Sequence, residues 1–128
     1  DMAMFLFTDK ILRGEPIQVF NYGNMKRDFT YIDDIIAGTR SAIDKNYKCE
    51  IFNLGNHRSE ELMDVVHLIE ENLGKKAEIE FLPMQPGDIP ESLAEIEKSK
   101  EFLGFKPTTD ISAGIENFVE WYKEYNTE

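Results

Sequence analysis

Arg27 is the first residue of this sequence whose type and position suit binding chemistry. It follows the turn-rich segment 21–24, stands beside Lys26 and leads into a short stretch with strand character. An arginine fork presented from a strand suits the bidentate recognition of a phosphate or a carboxylate. The competing interpretation is an ordinary salt bridge to Asp28 or Asp33, and the sequence leaves both open.

A loop braced by prolines is the second candidate. It reads Met84-Gln85-Pro86-Gly87-Asp88-Ile89-Pro90. Two prolines with a glycine between them should give a stiff, well-defined backbone. We therefore expect Gln85 and Asp88 to be held as hydrogen-bonding groups at fixed positions. A carboxylate held in this way suits a ribose diol; the alternative is a plain surface turn.

The histidines and the cysteine do not form a metal site. His57 and His67 lack the spacing of a metal pair, and Cys49 is the only cysteine, so no zinc site can be assembled. We expect His67 to be an ordinary, partly buried helical side chain and His57 to be exposed in a loop. The sequence thus predicts no metal ligands.

Two further patterns imitate redox motifs. Tyr22 and Lys26 have Tyr-x-x-x-Lys spacing, but the acid–base pair of that motif needs one helical face, and Gly23 and Asn24 make a helix improbable here. Gly55 lies in a strand-to-helix turn that resembles a nucleotide-binding turn, yet a single glycine is not Gly-x-Gly-x-x-Gly. We interpret it as a structural left-handed turn. No catalytic or cofactor-binding residue is predicted.

The periodicity of apolar residues predicts an α/β domain with a thin sheet and large apolar helix faces. Ser59 should be a helix N-cap, and Asp33-Asp34 should open a helix. The expected strands are 16–20, 27–32, 50–55 and 77–81. The expected helices begin near Met2, at Asp33, after Ser59, near Ile96 and at Ile111. The apolar face of the second helix is expected to include Ile35, Ile36, Thr39 and Ile43. The face of the third is expected to include Leu62, Val65, Val66, Ile69 and Leu73, and that of the fifth Ile115, Phe118, Val119 and Tyr122.

The composition excludes several classes of protein. The 128 residues suffice for one ordinary domain or for part of a larger one, and the start at Asp1, inside an apolar periodic segment, suggests a fragment. Fourteen basic against 25 acidic residues give a net charge of −11, which argues against non-specific binding to nucleic acid or to an anionic membrane. No apolar run approaches the length of a bilayer span. The single cysteine fits a reducing compartment, most simply the cytoplasm.

The charge is also unevenly distributed along the chain. Residues 1–50 carry seven basic and eight acidic residues, whereas residues 51–128 carry seven basic and 17 acidic ones. An anion-binding surface is therefore expected in the first half of the chain.

Several motifs together resemble the C-terminal portion of an extended short-chain dehydrogenase/reductase. In particular, the chain is similar to UDP-glucuronate 4-epimerases and capsular-polysaccharide nucleotide-sugar epimerases. The resemblance covers essentially the whole chain, and its most specific stretches are Arg27-Asp28-Phe29-Thr30-Tyr31-Ile32-Asp33-Asp34 and Met84-Gln85-Pro86-Gly87-Asp88. Supporting stretches are 1–5, 14–23, 52–56, 61–63, 97–107 and 114–122.

The resemblance assigns a substrate-binding role to specific residues. It implies that the strand Gln18-Val19-Phe20 flanks the uracil of a UDP-sugar, with backbone groups at the edge of the base, and that Arg27 binds the diphosphate. It also implies that the loop with Gln85 and Asp88 closes over the phosphate and ribose, Asp88 being the hydroxyl acceptor. Gly87-Asp88 continues as Ile89-Pro90-Glu91-Ser92-Leu93-Ala94-Glu95. Ser92 and Glu95 are mild departures from the family's Thr and Asp.

The family's catalytic parts lie outside this sequence. Its glycine-rich NAD-binding turn and its Tyr-x-x-x-Lys motif belong to an N-terminal Rossmann domain that residues 1–128 do not contain. The resemblance therefore implies a C-terminal substrate-binding domain, together with elements that normally pack on that absent domain. In the whole enzyme, NAD would oxidise the sugar at C4, the keto intermediate would rotate, and hydride would return to the other face.

Two consequences and two alternatives follow from this interpretation. The chain would contribute the anchoring of UDP and no hydride chemistry, and its uncovered apolar surfaces lead us to expect self-association or strand exchange between copies. The same architecture serves nucleotide-sugar dehydratases and decarboxylases. A free-standing binding module without a catalytic domain is the alternative from a different class.

Overall fold

The computed structural model describes residues 3–126, and it contains five α-helices and four three-residue strands in that part of the chain. A short 3₁₀ helix, Phe20–Gly23, connects the first two strands. None of the helices in residues 3–126 is long and apolar enough to cross a membrane. The elements, in chain order, are α1 (Ala3–Arg13), β1 (Ile17–Val19), β2 (Lys26–Asp28), α2 (Ile32–Lys45), β3 (Ser59–Glu61), α3 (Leu62–Leu73), β4 (Ile79–Phe81), α4 (Glu97–Leu103) and α5 (Ile111–Tyr125).

The strands form two separate two-stranded sheets rather than one. β1 pairs with β4 in parallel, with Ile17 opposite Ile79. β2 pairs with β3 in antiparallel fashion, with Arg27 opposite Glu60. The expected α/β class with little sheet is therefore confirmed, and helices provide most of the apolar surface that builds the core.

The core lies between α1, α3, α5 and the strand β1. The apolar faces expected for the third and fifth helices are confirmed, because most of their residues are buried against the same cluster, while Leu73 and Phe118 are partly buried against it. Each such side chain contributes about 1.5–3 kcal/mol on burial. The buried members are Phe7, Ile11, Ile17, Val19, Met25, Leu62, Val65, Val66, Ile69, Ile115 and Val119.

Tyr122 connects α5 to α1 through a side-chain hydrogen bond. Its hydroxyl donates a hydrogen bond of 2.7 Å to Asp9 Oδ1, and its ring is buried. Burial and this hydrogen bond raise the pKa of Tyr122 to about 12. The phenol is therefore a neutral structural donor at any physiological pH.

A second, smaller core joins α2 to α4. Ile96, Leu103 and Phe105 are buried there, and the segment around Phe52 and Leu54 packs against them. Gly38 of α2 faces this cluster. A Cβ at that position would lie 2.7 Å from a methyl carbon of Leu54 and 2.9 Å from a ring carbon of Phe105, so any larger residue would force these side chains to move.

Asp34 is a buried carboxylate that connects α2 to the segment before α5. It accepts hydrogen bonds from the backbone N–H of Thr108 and of Thr109, each at 3.0 Å, and from the Thr108 hydroxyl at 3.1 Å. Such bonds compensate the cost of burying its charge. The acidic start expected for α2 therefore also holds two parts of the chain together.

Three expectations for local structure are wrong. Ser59 is not an N-cap, because residues 59–61 pair with β2 and the helix begins only at Leu62. Residues 50–55 are not a strand, since no segment of residues 3–126 offers them a β-ladder partner. The strand expected at 27–32 ends at Asp28, because Ile32 already begins α2.

Other expectations about individual residues have mixed outcomes. His67 is exposed and not partly buried, because it points away from the buried stripe of α3. His57 is exposed, as expected. The helix expected near Met2 is present as α1, although Met2 itself lies outside the described residues.

The apolar stripe expected on α2 faces outward. Its buried face is formed by Asp34 and Gly38. Ile36 and Ile43 are 57% and 71% exposed, and Ile51 of the following segment is 83% exposed. These three isoleucines are therefore largely uncovered by residues 3–126, whereas Phe52 and Leu54 pack against the second core.

Glu70 connects the end of α3 to the segment that leads into β4 by hydrogen bonds. Its buried carboxylate accepts hydrogen bonds from Ala77 N–H at 2.7 Å and from the Lys76 ammonium at 3.0 Å. Burial raises the pKa of Glu70, but these two donors outweigh it and hold the pKa below its ordinary value of 4.5. The folded chain therefore favours the ionised form more than the unfolded chain does.

We expect Glu70→Gln to flatten the loss of stability in acid. The contribution of the ionised Glu70 is present above pH 4.5 and is lost as the pH falls through the lowered pKa. The variant should also be less stable by about 1–3 kcal/mol at neutral pH, because Ala77 and Lys76 lose a charged acceptor. Urea unfolding from neutral pH to about pH 3 measures both effects. Glu71→Gln, at the exposed neighbouring residue, is the control; equal pH profiles for the two variants would contradict the assignment.

Candidate functional site

A cleft of about 540 Å³ opens between α1, the end of β1, β2 and the loop that follows β4. Its floor is largely apolar, while two cationic and two anionic side chains lie along it. The lining residues are Ala3, Leu6, Phe7, Lys10, Gln18, Phe20, Met25, Arg27, Asp28, Phe29, Leu62 and Asp88. An apolar cleft with a few convergent polar groups is typical of a small-molecule site.

Backbone pairing on both edges of β2 fixes the position of Arg27. One edge pairs with β3, and on the other edge Lys26 N–H donates to Pro90 O at 2.8 Å, while Ser92 N–H donates to Lys26 O at 3.2 Å. β2 is therefore held between two segments. Its central residue, Arg27, directs its guanidinium to the loop before Pro90.

The guanidinium of Arg27 forms an ion pair with Asp88. Its Nη2 lies 2.9 Å from Asp88 Oδ1, and its Nη1 donates to Lys26 O at 2.8 Å. Both side chains of the pair are partly exposed, at 25% and 31%. The expected competing partners of Arg27, Asp28 and Asp33, are not its salt-bridge partners. The two residues that the sequence singled out separately are thus in direct contact.

The proline-braced loop forms a tight turn. Asp88 N–H donates to Gln85 O at 3.1 Å, Pro86 follows Gln85, and Gly87 has a φ of +84°. Proline followed by a glycine with positive φ is the pattern of a type II turn. The Asp88 carboxylate also accepts the Ile89 N–H at 2.8 Å. The sequence expectation of a defined turn thus agrees with the geometry, and the turn places Asp88 at the cleft.

The remaining predicted site residues are divided between the cleft and other positions. Gln18 and Phe20 line the cleft. Val19 is fully buried in the core, and its carbonyl accepts the Leu82 N–H at 2.9 Å. Gln85 is exposed and does not line the cleft. The structure thus brings together Gln18, Phe20, Arg27 and Asp88, and leaves Val19 and Gln85 outside.

Asp28 is a structural acceptor at the back of the cleft that the sequence analysis missed. Its carboxylate accepts hydrogen bonds from the N–H groups of Asn56 at 2.9 Å, His57 at 3.0 Å and Ala94 at 2.9 Å. Ionised carboxylates form the strong class of hydrogen bond. Asp28 therefore joins two loops that are distant in sequence, and no local pattern could have indicated this.

Gly55 is required by close packing and not by a left-handed turn. It does not have a positive φ; His57 does, at +55°. A Cβ at Gly55 would collide with Ala94 Cβ and would lie 3.1 Å from Asp28 Oδ2. The interpretation of Gly55 as a left-handed turn is thus wrong. Ala94 therefore packs directly against this turn at Gly55.

Lys10 and Phe29 also line the cleft and were not singled out from the sequence. Lys10 is partly buried and forms no ion pair within residues 3–126. By contrast, the Lys26 ammonium lies 3.1 Å from Glu61, which raises its pKa. Arg27 and Lys10 are therefore the two cations that face the cleft.

The Tyr-x-x-x-Lys spacing does not place Tyr22 and Lys26 on one helix. Tyr22 lies in the 3₁₀ turn with a φ of +52°, whereas Lys26 begins β2, so the pair does not share a helical face. Among residues 3–126 no group of three or more His, Cys, Asp or Glu side chains could hold a metal ion.

A family model described as the NAD dependent epimerase/dehydratase family matches residues 1–55. Among curated relatives, an uncharacterized protein of Methanocaldococcus jannaschii is 49% identical over 97% of this chain. UDP-glucuronate 4-epimerase 4 of Arabidopsis thaliana is 39% identical over 98% of it. The chain spans 38% and 32% of the length of these two relatives.

Solved structures agree with this relationship. A UDP-glucuronic acid 4-epimerase from Bacillus cereus, in complex with UDP-glucuronic acid and NAD, superimposes with a TM-score of 0.88 and 32% identity. The match covers 98% of this chain and 40% of that one. The region matched is the C-terminal part of an extended short-chain dehydrogenase/reductase, and the similarity expected from the motifs is confirmed.

We expect Asp28→Asn to destabilise the chain by about 1–3 kcal/mol, because an amide NH₂ would face backbone donors that the carboxylate now satisfies. The exchange of the amide protons of Asn56, His57 and Ala94 should accelerate. Urea unfolding and hydrogen exchange by NMR measure the two effects. Asp44→Asn is the matched control, because that carboxylate is 68% exposed in a surface pair with Arg40. Unchanged stability and unchanged exchange in Asp28→Asn would refute the role.

Proposed function

We propose that this chain, which matches the C-terminal part of extended short-chain dehydrogenases/reductases of the UDP-glucuronate 4-epimerase type, supplies the UDP-sugar-binding part of an NAD-dependent nucleotide-sugar 4-epimerase. One observation supports this most directly. The Arg27 guanidinium and the Asp88 turn, which are 61 residues apart, meet at the same cleft.

The chemistry of the cleft suits a pyrimidine nucleoside diphosphate. Arg27 offers a planar fork of donors to a diphosphate, and Lys10 adds a second positive charge. Asp88 offers carboxylate oxygens to ribose hydroxyls. Phe20 and Phe29 supply aromatic surface for a base, and Gln18 is a polar group beside them.

We assign Gln85 a narrower role than the resemblance implies, and we keep for Val19 the implied contact through backbone groups of its strand. Because the side chain of Val19 is buried and its carbonyl is engaged with Leu82, only its remaining backbone groups could contact a base. Gln85 contributes through its carbonyl, which anchors the Asp88 turn. We therefore assign Gln85 to positioning rather than to ligand contact.

The described residues do not fit NAD. Gly55, the glycine in the turn that resembles a dinucleotide-binding motif, is covered by Ala94, and no second glycine accompanies it. We therefore propose that binding of NAD and hydride transfer belong to polypeptide outside these 128 residues. The role of this chain is to hold the nucleotide, so that the sugar projects from the cleft toward that polypeptide.

We further propose that the exposed isoleucines of α2, with Ile51, form a docking face. In the whole protein, polypeptide outside these 128 residues would cover it, because burying large apolar surface is favourable. In the isolated chain, a second copy would take that place.

Light scattering at high concentration tests this face. We expect a mass above the 14.9 kDa of one chain, and a return to that mass in Ile36→Lys/Ile43→Lys. Ile89→Lys, at an exposed isoleucine outside the face, is the control and should leave the association unchanged. A wild-type chain that stays monomeric, or equal association in the double variant, would rule the docking face out.

Titration of UDP tests the binding function. We expect the 128-residue chain to bind UDP and Arg27→Ala to bind it about tenfold or more weakly, because a charge-assisted hydrogen bond is worth about 1.5–3 kcal/mol. Arg40→Ala is the matched control, since Arg40 is 82% exposed on α2 and pairs with Asp44. Calorimetry or NMR titration measures the affinities. If wild type and Arg27→Ala have the same affinity, Arg27 is not part of the site; if the wild type does not bind UDP, the proposal fails.

A further inference from the structure

Lys10 is a cation of the cleft whose ammonium forms no ion pair or hydrogen bond within residues 3–126. It belongs to α1, whose other residues that line the cleft, Ala3, Leu6 and Phe7, are apolar. Lys10 is therefore the charged group that α1 supplies to the cleft. The residue is also partly buried, and a charge that loses contact with water costs free energy unless it is paired.

The other cations of the described residues show how unusual this position is. Lys45, Lys48 and Lys106 also have no ion pair within residues 3–126, but they are exposed, so water satisfies them. Lys10 differs from them because it is partly buried and lines a cleft. Carboxylates of the chain pair with every arginine and with Lys26, Lys76, Lys98 and Lys100.

The position of Lys10 in the last turn of α1 does not account for its unpaired charge. A cation at the end of a helix is stabilised by carbonyl groups that have no partner there. In α1, however, the Lys10 carbonyl accepts the Glu15 N–H at 2.8 Å. The Leu12 carbonyl accepts the Lys75 ammonium at 2.8 Å. Other donors thus already satisfy this end of the helix, and the Lys10 ammonium is left for a different anion.

The carboxylates that line the cleft do not supply that anion. Asp28 accepts hydrogen bonds from three backbone N–H groups. Asp88 forms its ion pair with the Arg27 guanidinium, at 2.9 Å. An anionic ligand that enters the cleft therefore meets an unpaired ammonium on α1 as well as the arginine on β2. The counter-ion of Lys10 has to come from the ligand.

We propose that Lys10 is a specificity-determining residue through which the cleft distinguishes a nucleoside diphosphate from a monophosphate; this inference rests on the function proposed above. Arg27 binds one phosphate group from β2, and the Lys10 ammonium binds the other from α1. Lysine suits this task because its flexible stem carries a compact point charge. A monophosphate is held by Arg27 alone and leaves Lys10 without a counter-ion.

Three variants test this selection. Lys10→Met removes the charge and keeps an unbranched side chain. Lys10→Arg keeps the charge and should retain the selection. Lys45→Met is the matched control, because Lys45 is also in the last turn of a helix and also has no ion pair within the described residues, but is exposed. It removes the same charge from the acidic chain without touching the cleft.

The probes are uridine, UMP and UDP, titrated by calorimetry. We expect Lys10→Met to bind UDP about tenfold more weakly than the wild type, because a charge-assisted contact is lost. Its affinity for UMP should fall about twofold or less, because the ammonium attracts a distant phosphate only through screened charge. Its affinity for uridine should not change. Lys45→Met should bind all three ligands as the wild type does.

A measurement on the wild type covers the case that Lys10→Met does not fold. The side-chain Cε resonance of Lys10, in a chain with isotope-labelled lysines, should shift when UDP is added. It should not shift when uridine is added. Lys10→Arg assigns the resonance, because its signal disappears in that variant.

A selective loss of UDP affinity in Lys10→Met supports the proposal. If Lys10→Met binds UDP as tightly as the wild type, or loses as much affinity for UMP or uridine as for UDP, the selection is overturned and the proposed function stands. An equal loss in Lys45→Met also overturns it, since the effect would then follow the net charge. If the wild type does not bind UDP, the proposed function is overturned, and this inference with it.

Discussion

The short strand β2 is the constraint on which the site depends. Both of its edges form backbone hydrogen bonds, with β3 on one side and with residues 90–92 on the other. Its last residue, Asp28, adds three hydrogen bonds to loops at residues 56–57 and 94. Two stretches of chain that are distant in sequence, residues 56–61 and 90–94, thus converge on three residues. A partly exposed ion pair such as Arg27–Asp88 contributes little to stability by itself, so the backbone around it must set its geometry.

The charge around the cleft differs from the average charge of the whole chain. The chain is strongly acidic, yet its cleft carries Arg27 and Lys10, both from the less acidic first half. Acidic side chains near the cleft are engaged with donors, as Asp28 and Asp88 show. A local cluster of this kind can bind an anion on a protein that would repel a long polyanion, because exposed charges beyond roughly 8–10 Å are largely screened at physiological salt.

The elements that follow apolar periodicity could be predicted from the sequence, because such periodicity reflects burial. The buried face of α3 and its end at Gly74 follow the pattern directly. The prediction that Ser59 is an N-cap is wrong because a good N-cap residue can also pair in a strand. That pairing, with β2, depends on residues 31 or more positions away. The approach of Arg27 to Asp88 and the acceptor role of Asp28 depend on tertiary structure, so residue type suggested the candidates but not their partners.

The parallel pairing of β1 with β4 has a consequence for the order of folding. Ile17 and Ile79 can meet only after the intervening chain has been compacted, and the entropy of closing such a long loop must be overcome first. The helices need only local contacts to begin. The walls of the cleft come from residues between Ala3 and Asp88, so a complete cleft requires that the chain over this span has already been brought together.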